Sequence, residues 1–360
     1  MERKSSILNV GQARNKTRIE YLGEGGTMEL RANQLQKRTI DCLSLDTLSI
    51  CETQWYFAEL CLDYVDVDSF ENDDADVEDY RDILSWCASV MASSPSARLL
   101  LKEASEKDWK ITAEDLRGSD YFIDVEEKLL ILDNNALLPC ALGKSEYFRN
   151  MMLVTMIKAL RDIWQEKRHG GFDALYSPDH ILLMERIRAA DLDVIAVLVA
   201  WELRAEDYTD LWRHLIGSEI GDMAMCFSGY LERDPSAQFN GQALVSAYKQ
   251  WFRCSKRIDS CDHDALEYMD DVLASYEAIN PFGTKKPSKM NVEILSCLPD
   301  KTAYLQGLGT EILSNPVYSS VDNVINQTHL FHIMYDLQAV VVEDVPFRDA
   351  DLARKIFPVE

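Results

Sequence analysis

The sequence predicts an α+β fold that is predominantly α-helical, with a pair of long helices and a small β-hairpin. Apolar residues recur at helical spacing almost continuously from residue 145 to about residue 280. Just before this region, Tyr121–Val125 and Leu129–Leu132 form two short apolar runs around Glu126-Glu127-Lys128. Two such runs, followed by the turn residues Asp133-Asn134-Asn135, are typical of a β-hairpin.

The two long helices are the best-defined elements. The first is predicted from Ser145, a favourable N-cap residue, to Lys167. The second starts at Ser177-Pro178, with serine as N-cap and proline at the first helical position, and extends to about Arg204. Nearly every residue around Ala196 is apolar, so we expect the second helix to form the buried centre of the domain.

The whole chain is predicted to divide into three parts. Residues 1–79 form a mobile basic arm and an acidic segment, 80–280 a helical domain, and 281–360 a linker with a mixed α/β appendage. The arm is basic because residues 1–40 contain eight basic and four acidic side chains. Shorter helices are predicted at 80–91, 97–107, 207–216, 221–231, 236–253, 264–279, 302–313 and 348–356, a linker at 284–289 and a strand at 340–342.

The composition excludes several classes of function. The chain has 61 acidic and 37 basic residues, a net charge of −24 and a pI near 4.6. Such a surface repels phosphate backbones and anionic lipid, so we expect neither nucleic acid nor membrane as a partner. The start of the sequence does not resemble a signal peptide, and the nine cysteines contain no Cys-x-x-Cys pair. We therefore expect a cytoplasmic protein with reduced thiols; its oligomeric state is not indicated.

The segment from residue 61 to 82 is the most acidic part of the chain. It contains ten acidic residues and only Arg81 as a basic one. A calcium loop at Asp66–Glu71 is excluded, because the EF-hand requires an oxygen ligand and then glycine where this chain has Phe70 and Glu71. One hypothesis is that segment 61–82 binds a basic groove of a protein partner.

Two common catalytic motifs are also excluded. Gly143-Lys144-Ser145 resembles the end of a P-loop, but the first glycine of that motif would fall at Leu138, and Pro139 lacks an amide hydrogen. No Gly-x-Ser-x-Gly sequence is present, so a serine hydrolase of the α/β type has no support.

The first long helix contains the most informative segment. Residues 158–165, Lys-Ala-Leu-Arg-Asp-Ile-Trp-Gln, resemble the active-site helix of a bacterial family of metallopeptidase-like proteins of unknown function, whose pattern is His-Glu-Leu-Arg-His-Ala-Trp-Gln. The next helix is similar as well, since residues 186–191 match an Arg-x-x-Glu-Ala-Asp pattern at three positions. The resemblance covers roughly residues 80–280 and implies a zincin-like arrangement of the two long helices.

The resemblance also implies that the zinc site has been lost. In the family pattern, two histidines four residues apart bind zinc, the intervening glutamate activates water, and a downstream carboxylate is the third ligand. These positions are Lys158, Ala159, Asp162 and Ala189 here. A protonated lysine and two alanines offer no metal ligand. Our leading hypothesis is therefore a non-catalytic binding or regulatory module without cofactor.

The charges that remain suggest ion pairs in place of the metal. Lys158 and Asp162 lie four residues apart, so they either pair on one helical face or are both solvated. Asp191 is expected to pair with Arg161 or with Lys158 across the two helices. An alternative is an active metal-dependent hydrolase with a rearranged zinc site, whose candidate ligands are Asp162, His169, His180 and Glu185.

Overall fold

A computed structural model gives the fold of the chain. The structure describes residues 53–63, 65, 77–169, 174–275, 281–336, 340–342 and 345–347. The predicted basic arm, the Asp66–Glu71 loop and the predicted helix at 348–356 lie outside these residues. The described part is predominantly helical with a small mixed sheet, which confirms the predicted α+β class.

The helices follow one another through most of the described chain. They are α1 Phe57–Leu60, α2 Tyr80–Ser93, α3 Pro95–Glu106, α4 Pro139–Lys144, α5 Glu146–His169, α6 Pro178–Ala205, α7 Asp210–Ile216, α8 Gly221–Arg233, α9 Ala237–Asn240, α10 Gln242–Trp251, α11 Ser255–Ser275, α12 Lys289–Leu295, α13 Gly309–Ser314, α14 Pro316–Ser319 and α15 Val324–Asp336. Both predicted long helices are present, as α5 and α6.

Helix α6 lies at the centre of the fold, as its apolar sequence predicts. Most of its residues are buried, and it packs against α5, α7, α10 and α11 as well as against α2 and α3. A helix that is apolar on nearly all sides needs neighbours on all sides to remove that surface from water. The long helix pair α5–α6 is thus fixed by the whole domain around it.

The sheet contains the predicted hairpin and two further strands. The strands β1 Trp55–Tyr56, β2 Lys110–Glu114, β3 Tyr121–Asp124 and β4 Leu129–Asp133 are arranged in the order β1-β2-β4-β3. Strands β3 and β4 form the antiparallel hairpin, β2 is parallel to β4, and β1 is antiparallel to β2. Strands β3 and β4 pack against α5, which places Tyr121 next to the long helix pair.

The structure corrects three predicted helices. The helix predicted at 236–253 is interrupted by Gly241, whose φ is +76° and whose added Cβ would lie 3.0 Å from Tyr304 Cβ. Helix α11 starts at Ser255 rather than at Asp264. The predicted helix at 302–313 is helical only from Gly309, because the chain before it forms turns that bring Tyr304 to α6.

The C-terminal region is also more regular than predicted. Helix α12 starts at Lys289, the last residue of the predicted linker, and α15 was not predicted at all. The predicted strand at 340–342 is confirmed as β5 Val340–Val342, which pairs with β6 Val345–Phe347 in an antiparallel hairpin.

One hydrophobic core extends across most of the described chain. Its buried side chains come from residues between Trp55 and Tyr318, and a smaller cluster joins the start of α6 to α11 and α15. The domain boundaries at residues 80 and 280 stay a prediction. The core contains side chains from both sides of each boundary. Among the described residues, none of the helices is long and apolar enough to cross a membrane.

Candidate functional site

The four positions at which the sequence resemblance predicts a lost metal site lie on α5 and α6. Ala159 is completely buried and contributes to the main hydrophobic core, and Ala189 is partly buried against the same core. Lys158 and Asp162 keep some exposure at the surface between the helices. Only one of the four residues, Asp162, therefore has a side chain that could bind zinc at neutral pH.

Lys158 forms an ion pair with a carboxylate of α6. Its Nζ lies 2.9 Å from Asp193 Oδ1, while Asp193 Oδ2 accepts a hydrogen bond of 2.9 Å from Trp251 Nε1. The negative charge of Asp193 raises the pKa of Lys158 above its usual value, against the opposing effect of burial. The lysine thus remains an ammonium group, which has no lone pair for a metal.

Asp162 is held by two donors from different elements. Its Oδ1 accepts a hydrogen bond of 2.8 Å from Arg188 of α6, and its Oδ2 accepts one of 3.0 Å from the Tyr121 hydroxyl of β3. Arg188 also lies 3.2 Å from Glu166 Oε2. Burial raises the pKa of Tyr121 well above its usual value, and the charge of Asp162 adds to the effect, so the phenol remains a donor.

These contacts correct both sequence-based expectations for Lys158 and Asp162. The two side chains neither pair with each other nor remain solvated, because each has a partner of opposite charge on α6. The physical reason is that α5 and α6 are antiparallel, which places Asp193 opposite Lys158 and Arg188 opposite Asp162.

Of the candidate ligands of a rearranged site, Asp162 and Glu185 both lie close to Arg188 in the described structure. His180 lies at the N-terminus of α6, with its Nδ1 2.6 Å from Ser177 Oγ. Glu185 has a raised pKa because it is buried, an effect that the charge of Arg188 opposes. The side chain of His169 lies outside the described residues, so this ligand set stays a prediction. Among the side chains that are described, no three of the types His, Cys, Asp and Glu form a group that could hold a metal ion.

Asp191 is the centre of a buried network that joins the two helices to the C-terminal region. Its Oδ2 accepts hydrogen bonds from Arg161 Nε at 2.7 Å and Gln165 Nε2 at 2.6 Å. Its Oδ1 accepts one of 2.6 Å from the Tyr304 hydroxyl. The prediction that Asp191 pairs with Arg161 or Lys158 is thereby confirmed, with Arg161 as the partner.

Arg161 has further partners of its own. Its terminal nitrogens donate hydrogen bonds of 3.0 Å each to the backbone carbonyls of Cys297 and Leu295, and its guanidinium lies 4.5 Å from the centre of the Trp164 ring. A fully buried guanidinium needs several acceptors because it has five N–H donors, and three acceptors contact this one. The later residues of the helix pattern thus make buried structural contacts and do not lie at an exposed catalytic position. They are Arg161, Trp164 and Gln165.

A second buried ion pair lies further along α6. Arg186 donates two hydrogen bonds of 2.6 Å to the carboxylate of Asp262 in α11 and one of 2.8 Å to the carbonyl of Tyr318. Arg186 and Asp262 are both almost completely buried. This pair attaches α11 and α14 to the centre of the fold.

Sequence reasoning missed Asp193, Asp262, Tyr121 and Tyr304. Asp193 could have been found, since it lies four residues after Ala189 and therefore on the same face of α6. Asp262 and Tyr304 lie 76 and 113 residues from their partners, and the sequence contains no local signal for such contacts.

Comparison with known protein families gives one match. The model of the family described as "Putative metallopeptidase family (DUF6782)" matches residues 57–305, more than half of the chain. The chain belongs to this family. Searches of curated proteins and of solved structures gave no match.

The DUF6782 match includes every residue of the Asp191 network. It extends from Phe57 in α1 to Leu305, one residue beyond Tyr304. The turns that follow α12 thus belong to the matched region, together with the carbonyls of Leu295 and Cys297 that hold Arg161. The residues of this network therefore all lie within the part of the chain that matches the family.

Proposed function

We propose that this chain is a non-catalytic member of the DUF6782 family that acts as a binding or regulatory module. The proposal rests on one observation, which is the set of residues present at the positions of the zinc pattern. Two are alanines, and the other two, Lys158 and Asp162, are engaged in ion pairs across the helices. By contrast, the residues that join the two helices, Arg161 and Asp191, have several buried hydrogen-bond partners.

The residues present do not fit a catalytic zinc ion. Such an ion needs three protein ligands and an open position for water. Asp162 is the one potential ligand among the four residues, and both of its oxygens already accept hydrogen bonds from Arg188 and Tyr121. No residue occupies the place of the glutamate base, since Ala159 has no acidic group.

The test is a measurement of zinc in protein purified without added metal and washed with a mild chelator. We expect far less than one zinc per chain. A triple variant, Lys158→His, Asp162→His and Ala189→Glu, provides three ligands at the family positions and is expected to bind about one zinc per chain. The matched control, Lys158→Gln, Asp162→Asn and Ala189→Gln, changes the same positions and should bind none.

Stoichiometric zinc in the unmodified chain would overturn the proposal. The alternative hydrolase with ligands Asp162, His169, His180 and Glu185 would then be favoured, and His180→Ala should remove the metal. A triple variant that folds but binds no zinc would show that the four positions do not face one another as the family pattern requires.

For the partner, we propose that the acidic segment 61–82 contacts a basic protein surface. Part of its charge has a local role, since Asp79 and Asp82 form the capping box of α2 and Asp63 pairs with Arg81. The acidic residues between 66 and 76 provide most of the remaining charge. A fluorescent lysine-rich peptide should bind at low salt and lose affinity at high salt. Neutralising residues 66–76 should abolish binding, whereas unchanged binding would exclude this segment.

A further inference from the structure

We propose that Lys158 and Arg188 replace a divalent metal ion in this fold: together they supply two positive charges and cross-link α5 to α6. This inference rests on the proposed function, because it assumes that the groove between the two helices holds no zinc. It goes further in assigning the two side chains a role that the loss of catalysis alone does not require.

The charge balance of the groove supports this assignment. Arg188 lies near the carboxylates of Asp162, Glu166 and Glu185, and Lys158 lies beside that of Asp193. A zinc ion would add two positive charges to such a site, and Lys158 with Arg188 adds the same number. Partly buried carboxylates without nearby positive charge would repel one another and be costly to desolvate.

The geometry shows a reciprocal cross-link. Lys158 extends from α5 to Asp193 on α6, and Arg188 extends from α6 to Asp162 and Glu166 on α5. One cation therefore comes from each helix, and Ala189, at the third-ligand position, lies between Arg188 and Asp193 in sequence. The two bridges connect the same stretches of helix that a metal bound at the family positions would connect.

The two carboxylates that Lys158 and Arg188 contact, those of Asp193 and Asp162, are each also held by a neutral hydrogen-bond donor. Trp251 donates to Asp193 and Tyr121 donates to Asp162, at 2.9 and 3.0 Å. Around bound metals, hydrogen-bond partners of this kind fix the orientation of the ligands. Here they fix the orientation of the two carboxylates that contact Lys158 and Arg188. Tyr121 and Trp251 come from β3 and α10, so the cross-link also involves the sheet and a third helix.

The side chains of these two ion pairs are less exposed than those of ordinary surface ion pairs. The side chains of Lys158 and Asp193 are 24% and 10% exposed, and those of Arg188 and Asp162 are 10% and 22% exposed. In the exposed pair Lys102–Glu106 the corresponding values are 66% and 60%. Exposed pairs of this type contribute little to stability, whereas removing one partner of a shielded pair leaves a charge without compensation.

The experiment compares thermal unfolding of the full chain and its variants, with and without chelator. Lys158→Met and Arg188→Met are each expected to lower the Tm by about 5 °C or more. The matched controls Lys102→Met and Arg213→Met, which remove exposed cations, should change it by about 1 °C. Lys158→Arg retains the charge and should recover most of the loss.

A second variant keeps the inference testable if Lys158→Met folds poorly. In Lys158→Met with Asp193→Asn both charges are absent, and at least half of the lost Tm should return. The inference is overturned if the two changes are simply additive, or if Lys158→Met and Arg188→Met behave like their controls.

Metal addition distinguishes this failure from a failure of the proposed function. Chelator and added zinc should leave the Tm of the unmodified chain unchanged if the two side chains have replaced the metal. A Tm that falls in chelator would overturn the proposed function itself. If chelator and zinc leave the Tm unchanged, and the Lys158→Met and Arg188→Met variants lose no more Tm than their controls, only the assignment of Lys158 and Arg188 is overturned.

Discussion

Asp191 and Arg161 form an ion pair in which both side chains are completely buried, with Nε and Oδ2 at 2.7 Å. Such a pair is stable only when every remaining donor and acceptor is also satisfied. Here the remaining partners come from Gln165, from Tyr304 and from two carbonyls, those of Leu295 at the end of α12 and of Cys297 just after it. The pair consequently connects three separate parts of the chain, and its loss should affect the whole fold.

Replacing Asp191 by alanine should destabilise the protein by about 3–5 kcal/mol, because Arg161 would remain buried without a counter-charge. The measurement is the free energy of unfolding in urea. Asp210→Ala is the matched control, since Asp210 pairs with the exposed Arg213 on the surface, and its cost should stay below about 1 kcal/mol. An Asp191→Ala variant as stable as this control would show that the buried network does not hold the fold together.

The pair between Arg186 and Asp262 should show strong coupling. Arg186→Met leaves the Asp262 carboxylate buried and is expected to cost about 3–5 kcal/mol, whereas Arg186→Met with Asp262→Leu should cost much less. Urea unfolding of both single variants and the double variant gives the coupling energy. Additive effects would mean that the two side chains contribute separately and that α11 is attached to α6 mainly by apolar packing.

Glu202 should be needed for the start of α3. Its carboxylate accepts hydrogen bonds from the backbone amide and hydroxyl of Ser96 and from the hydroxyl of Ser94, the N-cap residue. Glu202→Gln should cost about 1–3 kcal/mol and speed hydrogen exchange in the first turn of α3. Glu206→Gln removes an exposed carboxylate of the same region and should leave exchange unchanged. Equal exchange in the two variants would contradict the capping role.

Stability should decline at alkaline pH because of buried phenols. Burial raises the pKa of Tyr304 and Tyr121 well above 10 in the folded state, with further contributions from Asp191 and Asp162, and burial raises the pKa of Tyr318 to about 12. The unfolded chain therefore loses phenolic protons first, so stability is constant up to about pH 10 and falls above it. Lys158, whose pKa is also raised, acts in the same direction.

Urea midpoints between pH 8 and 11.5, with tyrosinate absorbance recorded in parallel, test this dependence. Tyr304→Phe should make the alkaline decline shallower, although the lost hydrogen bond to Asp191 lowers stability at every pH. Tyr147→Phe removes an exposed phenol and is the control. Ionisation of all tyrosines near pH 10 without unfolding would contradict the buried positions of Tyr304 and Tyr121.

Elements with a strong local pattern were predicted correctly, whereas those that depend on distant partners were missed. The hairpin β3–β4 is closed by nearby residues, and α5 and α6 have long apolar patterns with Ser145, Ser177 and Pro178 at their starts. Strand β2 was missed because its parallel partner is β4, and a five-residue strand gives little signal of its own. The break at Gly241 depends on the approach of Tyr304, which follows only from the tertiary fold.

The sequence by itself determined which chemical groups are present at the family positions. The metal-binding atoms available at these positions follow from the sequence alone, because a side chain's donor atoms are a property of the residue type. The residues are Lys158, Ala159, Asp162 and Ala189. The partners of these side chains were decided by the tertiary structure. Whether Lys158 meets Asp162 or Asp193 depends on how α5 and α6 are aligned, and the packing of the whole core around α6 sets that alignment.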